Sequence, residues 1–221
     1  MPYALIWKRL SEEWQVTPPE NVIEQNSPSA ETTLFDCTGC GLRFFHPARS
    51  GTAGFYSLLA NSPRYYNSWK WEFGWVGDRL PATAAVLDVG CGRGDFLAAL
   101  LPKVRRAAGL ELDERTADGA RDRGLEVESG KLESYAPAHA REFDAVCLFH
   151  VVEHLADFRP DLRHAVACLR PGGSLYLSVP NRERFLKEPL ESLDCPPHHL
   201  SRWGPRQMER LAGELGLGLV R

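Results

Sequence analysis

From Ala84 onward, short apolar runs alternate with segments of helical spacing. Val86-Leu87-Asp88-Val89 predicts a strand that ends in glycines, and Asp95 to Leu101 predicts the helix after it. Ala107 to Leu112, Leu125 to Glu128, Phe143 to Phe149 and Leu175 to Val179 predict four further strands. Thr116 to Arg123, Asp161 to Leu169 and Pro205 to Leu215 predict helices, and Pro171-Gly172-Gly173 a punctuating turn. Strands and helices alternating in this way predict an α/β fold with a doubly wound, largely parallel sheet. Ligands of such sheets lie outside the carboxyl ends of the strands.

The first 83 residues read differently. Residues 1–55 have weak periodicity, with a polar, turn-prone stretch from Thr17 to Thr33, and predict a small N-terminal appendage. Residues 64–80, RYYNSWKWEFGWVGDRL, predict an aromatic helix. Two readings of Tyr65, Tyr66, Trp69 and Trp71 stand: a lid over a ligand, or a helix packed on a core. The expected organisation is an appendage over 1–55, an aromatic helical lid over 56–83 and the α/β domain over 84–221.

Charge and composition narrow the function classes. The net charge of −3 and the lack of a basic run give no basis for broad phosphate-backbone binding. No apolar window is long enough to span a membrane, and MPYALIWKRLSEEW lacks the apolar centre of a signal peptide, so a cytoplasmic location is expected. Of the six cysteines only Cys37 and Cys40 form a close pair, which argues for reduced thiols rather than a disulfide framework.

Candidate chemistry begins at Asp88-Val89-Gly90-Cys91-Gly92-Arg93-Gly94-Asp95. Glycines here permit a sharp strand-to-helix turn and let a ligand approach bare backbone. The spacing is G-x-G-x-G, and Asp95 occupies the position where a dinucleotide fingerprint requires its last glycine. VLDVGCGRGDFL resembles motif I of the class I S-adenosylmethionine-dependent methyltransferases. Glu111 at the end of the second strand, EFDAV at the fourth and LRPGGSL before the fifth resemble further motifs of that family in order. The resemblance covers about residues 84–216. It implies a Rossmann-like methyltransferase sheet that binds S-adenosylmethionine and releases S-adenosylhomocysteine. It also implies that Gly90, Gly92 and Gly94 pack against the cofactor, that Asp88 orients the loop and that Glu111 holds the ribose hydroxyls. Leu112 would lie on the adenine. Where the family often carries an aspartate for the adenine amino group, this chain has Lys131, which cannot accept that bond, so the backbone near Leu132 is the expected contact.

His150-Val151-Val152-Glu153-His154 reads as H-x-x-E-H, the inverted zinc-protease signature. Its position directly after the fourth strand argues against a peptidase. The family phrase it resembles, HVLEHL, floors the methyl-transfer site, so His150 is expected to touch the cofactor and act in catalysis. His198 and His199, after the fifth strand, resemble acceptor-site histidines and are expected to act as acid/base groups. Glu153 and His154 carry a packing reading beside the functional one. A divalent ion on His150, Glu153, His154 and either His198 or His199 is the alternative that related O-methyltransferases suggest, with nitrogen-rich ligation favouring zinc, iron or manganese.

Cys37-Thr38-Gly39-Cys40-Gly41-Leu42 resembles the second knuckle of a zinc ribbon that begins some small-molecule methyltransferases. The first knuckle is missing, so a degenerate ribbon without metal is expected, with completion by His46 or another subunit as the alternative. The chain stops where a sixth strand is expected to begin, so either the sequence is a truncated product or the family's C-terminal strand hairpin is missing and replaced. That sheet edge would be left for a partner or a second copy to cover. The expected activity is methyl transfer to a small-molecule acceptor at oxygen. An RNA ribose 2′-O-methyltransferase and an inactive cofactor-binding partner subunit are the alternatives.

Overall fold

The computed structural model describes residues 1–65, 69–183 and 191–220. The chain forms two compact units. One comprises Met1–Tyr65, Val152–Ala156 and Val179–Arg221; the other comprises Tyr66–Val151 and Asp157–Ser178.

The first unit holds more helix than its weak periodicity predicts. Helix α1 (Tyr3–Trp14) buries Tyr3, Ile6, Trp7 and Leu10, which recur at three- and four-residue intervals on one face. Helix α2 (Glu20–Asn26) lies within the stretch expected to be irregular. Only Val22 and Asn26 of α2 are buried, so the sequence gives little apolar signal there. The buried Asn26 amide is satisfied by Thr52, donating to its Oγ1 at 3.0 Å and accepting its N–H at 2.8 Å. Thr52 also caps the next helix. Strands β1 (Thr33–Asp36) and β2 (Arg43–His46) form an antiparallel hairpin with Thr33 opposite His46 and Asp36 opposite Arg43. Helix α3 (Ala53–Ala60) follows, its first turn closed by Thr52 accepting the Phe55 N–H. Trp7, Phe55, Leu59, Leu193 and Cys195 share the core of this unit.

The second unit opens with α4 (Trp71–Gly77), a shorter helix than the run 64–80 predicts. Tyr66 lies outside the described residues. The stripe is split rather than uniformly packed: Phe73 and Val76 are buried, whereas Trp69 is 55% and Trp71 70% exposed. Then come β3 (Ala85–Val89), α5 (Asp95–Leu100), β4 (Arg106–Glu111), α6 (Glu114–Asp122) and β5 (Glu126–Ser129). The short α7 (Leu132–Tyr135), β6 (Phe143–Phe149), α8 (Phe158–Cys168) and β7 (Leu169–Ser178) complete the unit. All neighbours in the sheet are parallel, in the order β5-β4-β3-β6-β7. The expected doubly wound parallel sheet is therefore present. Strand β7 starts earlier than Leu175 because Leu169 pairs with Phe143 ahead of a register shift, and the Pro-Gly-Gly turn is absorbed in that irregularity. The order reverses between β3 and β6, the switch point at which such sheets bind ligands.

The first unit resumes with β8 (Ser201–Arg202), which pairs antiparallel with β2, and α9 (Pro205–Glu214). Among the described residues no helix is long and apolar enough to cross a membrane.

Three rings fasten the switch point of the second unit. Phe73, Phe96 and Phe149 lie with centroids 5.1, 5.4 and 5.0 Å apart pairwise. They come from α4, α5 and the last residue of β6. Each such pair adds about 0.5–1.5 kcal/mol beyond area burial. Phe96→Ala is expected to lower the unfolding free energy by about 3–5 kcal/mol, read from the urea midpoint at unchanged slope.

Candidate active site

The loop after β3 is shaped by backbone that side chains would obstruct. Gly90 and Gly94 have φ of 71° and 76°. A Cβ at Gly90 would meet Val151 Cγ2 at 2.7 Å, and one at Gly94 would meet Leu125 Cδ1 at 2.3 Å. Gly90 thus lies hard against the segment that follows β6. Gly92, at φ 56°, donates its N–H to Glu111 Oε2 at 2.8 Å. The other oxygen of Glu111 accepts the Asp113 N–H at 3.0 Å, and Asp113 caps α6 by accepting from Thr116. Burial raises the Glu111 carboxyl pKa, against the backbone N–H groups that lower it. Asp88 is buried at the base of the loop, and burial raises its pKa to about 8, with Lys70 opposing and Glu111 adding to the rise. Leu112 is half exposed at the end of β4, while Leu132 is buried at the start of α7. Bare backbone and two buried carboxylates beside it fit a ligand carrying hydroxyls and positive charge.

His150 stands at the carboxyl end of β6 with φ 58°, a region that side-chain-bearing residues seldom occupy. Its N–H is held by the Ser178 carbonyl at 2.9 Å. Its Nε2 faces Glu72 Oε1 at 3.2 Å, and Glu72 is buried on α4. Because a carboxylate only accepts, Nε2 carries the proton in this pair and Nδ1 is the accepting nitrogen. Strained backbone of this kind concentrates at functional sites.

The remaining predicted histidines belong to the first unit. Ligand atoms of His154, His198 and His199 lie within 4.8 Å of one another. His198 is buried; its Nδ1 donates to the Leu193 carbonyl at 2.9 Å, so its Nε2 accepts from the Tyr65 hydroxyl at 3.0 Å. Burial, then the neighbouring His154 and His199, hold its pKa well below the usual histidine range. His154 Nδ1 donates to the His198 carbonyl at 2.7 Å. His199 lies between two buried carboxylates, with Nδ1 3.5 Å from Asp194 and Nε2 3.8 Å from Glu153.

A family model described as a methyltransferase domain matches residues 64–221. The chain belongs to the class I S-adenosylmethionine-dependent methyltransferases. It is 30% identical over 159 residues to a ubiquinone biosynthesis O-methyltransferase of Thiobacillus denitrificans, covering 65% of this chain and 68% of that protein. It spans about half the length of the other curated relatives that it matches. A Thermotoga maritima S-adenosylmethionine-dependent methyltransferase, described as a possible histamine N-methyltransferase, superposes with a TM-score of 0.55 at 27% identity, over 66% of this chain and 69% of that one. A Geobacter sulfurreducens methyltransferase solved with S-adenosyl-L-homocysteine shares the fold, with a TM-score of 0.58 at 17% identity, over 75% and 71%.

Within the methyltransferase, Asp88, Gly90, Gly92, Gly94, Glu111, Leu112, Leu132 and His150 all fall in the sheet unit. Glu153, His154, His198 and His199 fall in the other, and the three-histidine group there holds both His198 and His199 and lacks His150. Glu72 and Asp194 were not singled out from sequence. A lone acid inside KWEFGW was the only signal for Glu72, and nothing local marked Asp194.

The raised pKa of Asp88 has a consequence for folding. The folded methyltransferase keeps this proton up to about pH 8, while an unfolded aspartate releases it near pH 4. The Asp88 contribution is therefore fully present below about pH 4 and is lost as pH rises toward about 8. Denaturant titrations of the cofactor-free protein between pH 5 and 9 should show a flatter decline for Asp88→Asn than for the parent.

Proposed function

We propose that the protein methylates a hydroxyl of a small molecule. The observation that carries this reading is the 30% identity, across 65% of the chain, to a protein named as an O-methyltransferase. When bound, S-adenosylmethionine supplies an electrophilic methyl group on a sulfonium sulfur. In this reading Glu111 turns from its loop N–H groups to the ribose hydroxyls, and the glycine backbone admits the cofactor closely. Leu112 and Leu132 flank the adenine, and Asp88 meets positive charge from beneath the loop. His150 takes the acceptor's proton on Nδ1 as the oxygen engages the methyl carbon in line, while Glu72 fixes the ring from the Nε2 side. Alignment supplies most of the acceleration in such a displacement.

The roles separate in binding and turnover. Glu111→Ala is expected to weaken cofactor binding about 10- to 100-fold, because hydrogen bonds to a charged group contribute about 1.5–3 kcal/mol. Glu72→Gln is expected to leave that affinity unchanged and to lower kcat about 10- to 100-fold. Calorimetry and a radiolabelled methyl-transfer assay over pooled alcohols, phenols and amines test both. Label recovered only on nitrogen or carbon overturns the oxygen assignment.

A second reading places a divalent ion in the first unit, favoured by the spacing of the three imidazole ligand atoms. His154, His198 and His199 would hold it, with Glu153 beside His199, and the ion would replace the Tyr65 proton on His198 Nε2. Nitrogen donors suit zinc or iron(II) rather than magnesium. This reading expects stoichiometric metal by elemental analysis, lost in His154→Ala; protein without metal that retains full activity removes a catalytic ion.

A further inference from the structure

The knuckle between β1 and β2 is braced by side chains from late in the chain. Three side chains grip three successive carbonyls: Arg210 donates to Gly39 at 2.9 Å, Gln207 to Cys40 at 2.9 Å, and Arg182 to Gly41. A trans peptide points its N–H opposite to its C=O. Drawing the Gly39 carbonyl toward Arg210 therefore turns the Cys40 N–H the other way, toward the Cys37 sulfur. The Cys40 and Gly39 N–H groups and the Cys40 thiol all face that sulfur, and hold the Cys37 thiol pKa below its usual range. The guanidinium of Arg210 acts on both sulfurs. Both cysteines are partly exposed.

The same features disfavour a metal. Zinc requires four ligands, and among the described residues the only group of three or more ligand-type side chains is the histidine group. His46, offered by sequence as a third ligand, stands at the far end of β2 from the knuckle, roughly 10 Å along the strand. A fixed guanidinium beside the sulfurs opposes a second cation and favours a thiolate. The other four cysteines are buried, and burial pushes the Cys168 and Cys195 thiols up to about 11.

We propose that Cys37 and Cys40 form a reversible, hydroperoxide-reactive dithiol. The Cys37 thiolate attacks the peroxide O–O bond, forming a sulfenic acid and releasing hydroxide or alkoxide. The Cys40 thiol then attacks the Cys37 sulfur, forming the disulfide as the hydroxyl leaves with the thiol proton as water. Two sulfur electrons reduce one peroxide, and a small-molecule thiol restores the pair.

One tryptic peptide, residues 10–43, carries both cysteines. Full-length protein treated with hydrogen peroxide, alkylated and analysed by mass spectrometry should yield this peptide lighter by two hydrogens. That product should form at least ~10-fold faster than oxidation of the four buried cysteines, and dithiothreitol should reverse it. Cys40→Ser should accumulate a dimedone adduct on Cys37, Cys37→Ser should give none on Cys40, and Arg210→Gln should slow the reaction. A Cys37 that reacts no faster than glutathione overturns the proposal, as does stoichiometric zinc protecting both thiols in the purified protein.

Discussion

The contact among Phe73, Phe96 and Phe149 is the constraint on which the sheet unit's chemistry depends. Each ring is one or two residues from a group of the candidate site. Phe73 follows Glu72, Phe149 precedes His150, and Phe96 lies two residues beyond Gly94. The rings are buried in one core, so their packing fixes the ends of α4, α5 and β6 together. The 3.2 Å approach of Glu72 to His150 follows from this packing, because neither residue has a local reason to meet a partner 78 positions away. The left-handed backbone of His150 is likewise tolerated because β6 on one side and the Ser178 carbonyl on the other leave it no alternative.

Buried acid distinguishes the same unit. Asp88 and Glu111 are carboxylates that burial makes reluctant to ionise, and the like charge of Glu111 adds to the cost at Asp88. A sulfonium cofactor would offset that cost, so the cofactor-free loop is held partly by protons and backbone donors that binding would replace. The histidine group works in the opposite sense. His198 is kept neutral by burial and by its neighbours, and its two ring nitrogens are committed to Leu193 and Tyr65.

The N-terminal hairpin is braced by segments from the other end of the chain. Its knuckle carbonyls are held by side chains from residue 182 and α9, and β8 supplies a third strand beside β2. Those supports come from the far end of the chain, so the first and last segments build one unit.

What the sequence determined by itself was the sheet and the glycine turn after β3. The apolar runs, the glycines at 90, 92 and 94 and the carboxylate at 111 are local signals, because a strand, a positive-φ turn and a strand-end acid each leave a short signature. Even the Asp113 cap of α6 can be read within four residues. Helices α2 and α3 are short and bury two residues each, which leaves weak periodicity, whereas α1 carries a legible apolar stripe at Tyr3, Ile6, Trp7 and Leu10. Tertiary structure alone decided the partners: Glu72 beside His150, Asp194 and Glu153 around His199, and three distant side chains on the Cys37–Cys40 turn. Apart from Asp194 and His199, which lie in one loop, each of those pairings joins residues far apart in the chain, where no local spacing rule operates and only core packing sets the distance.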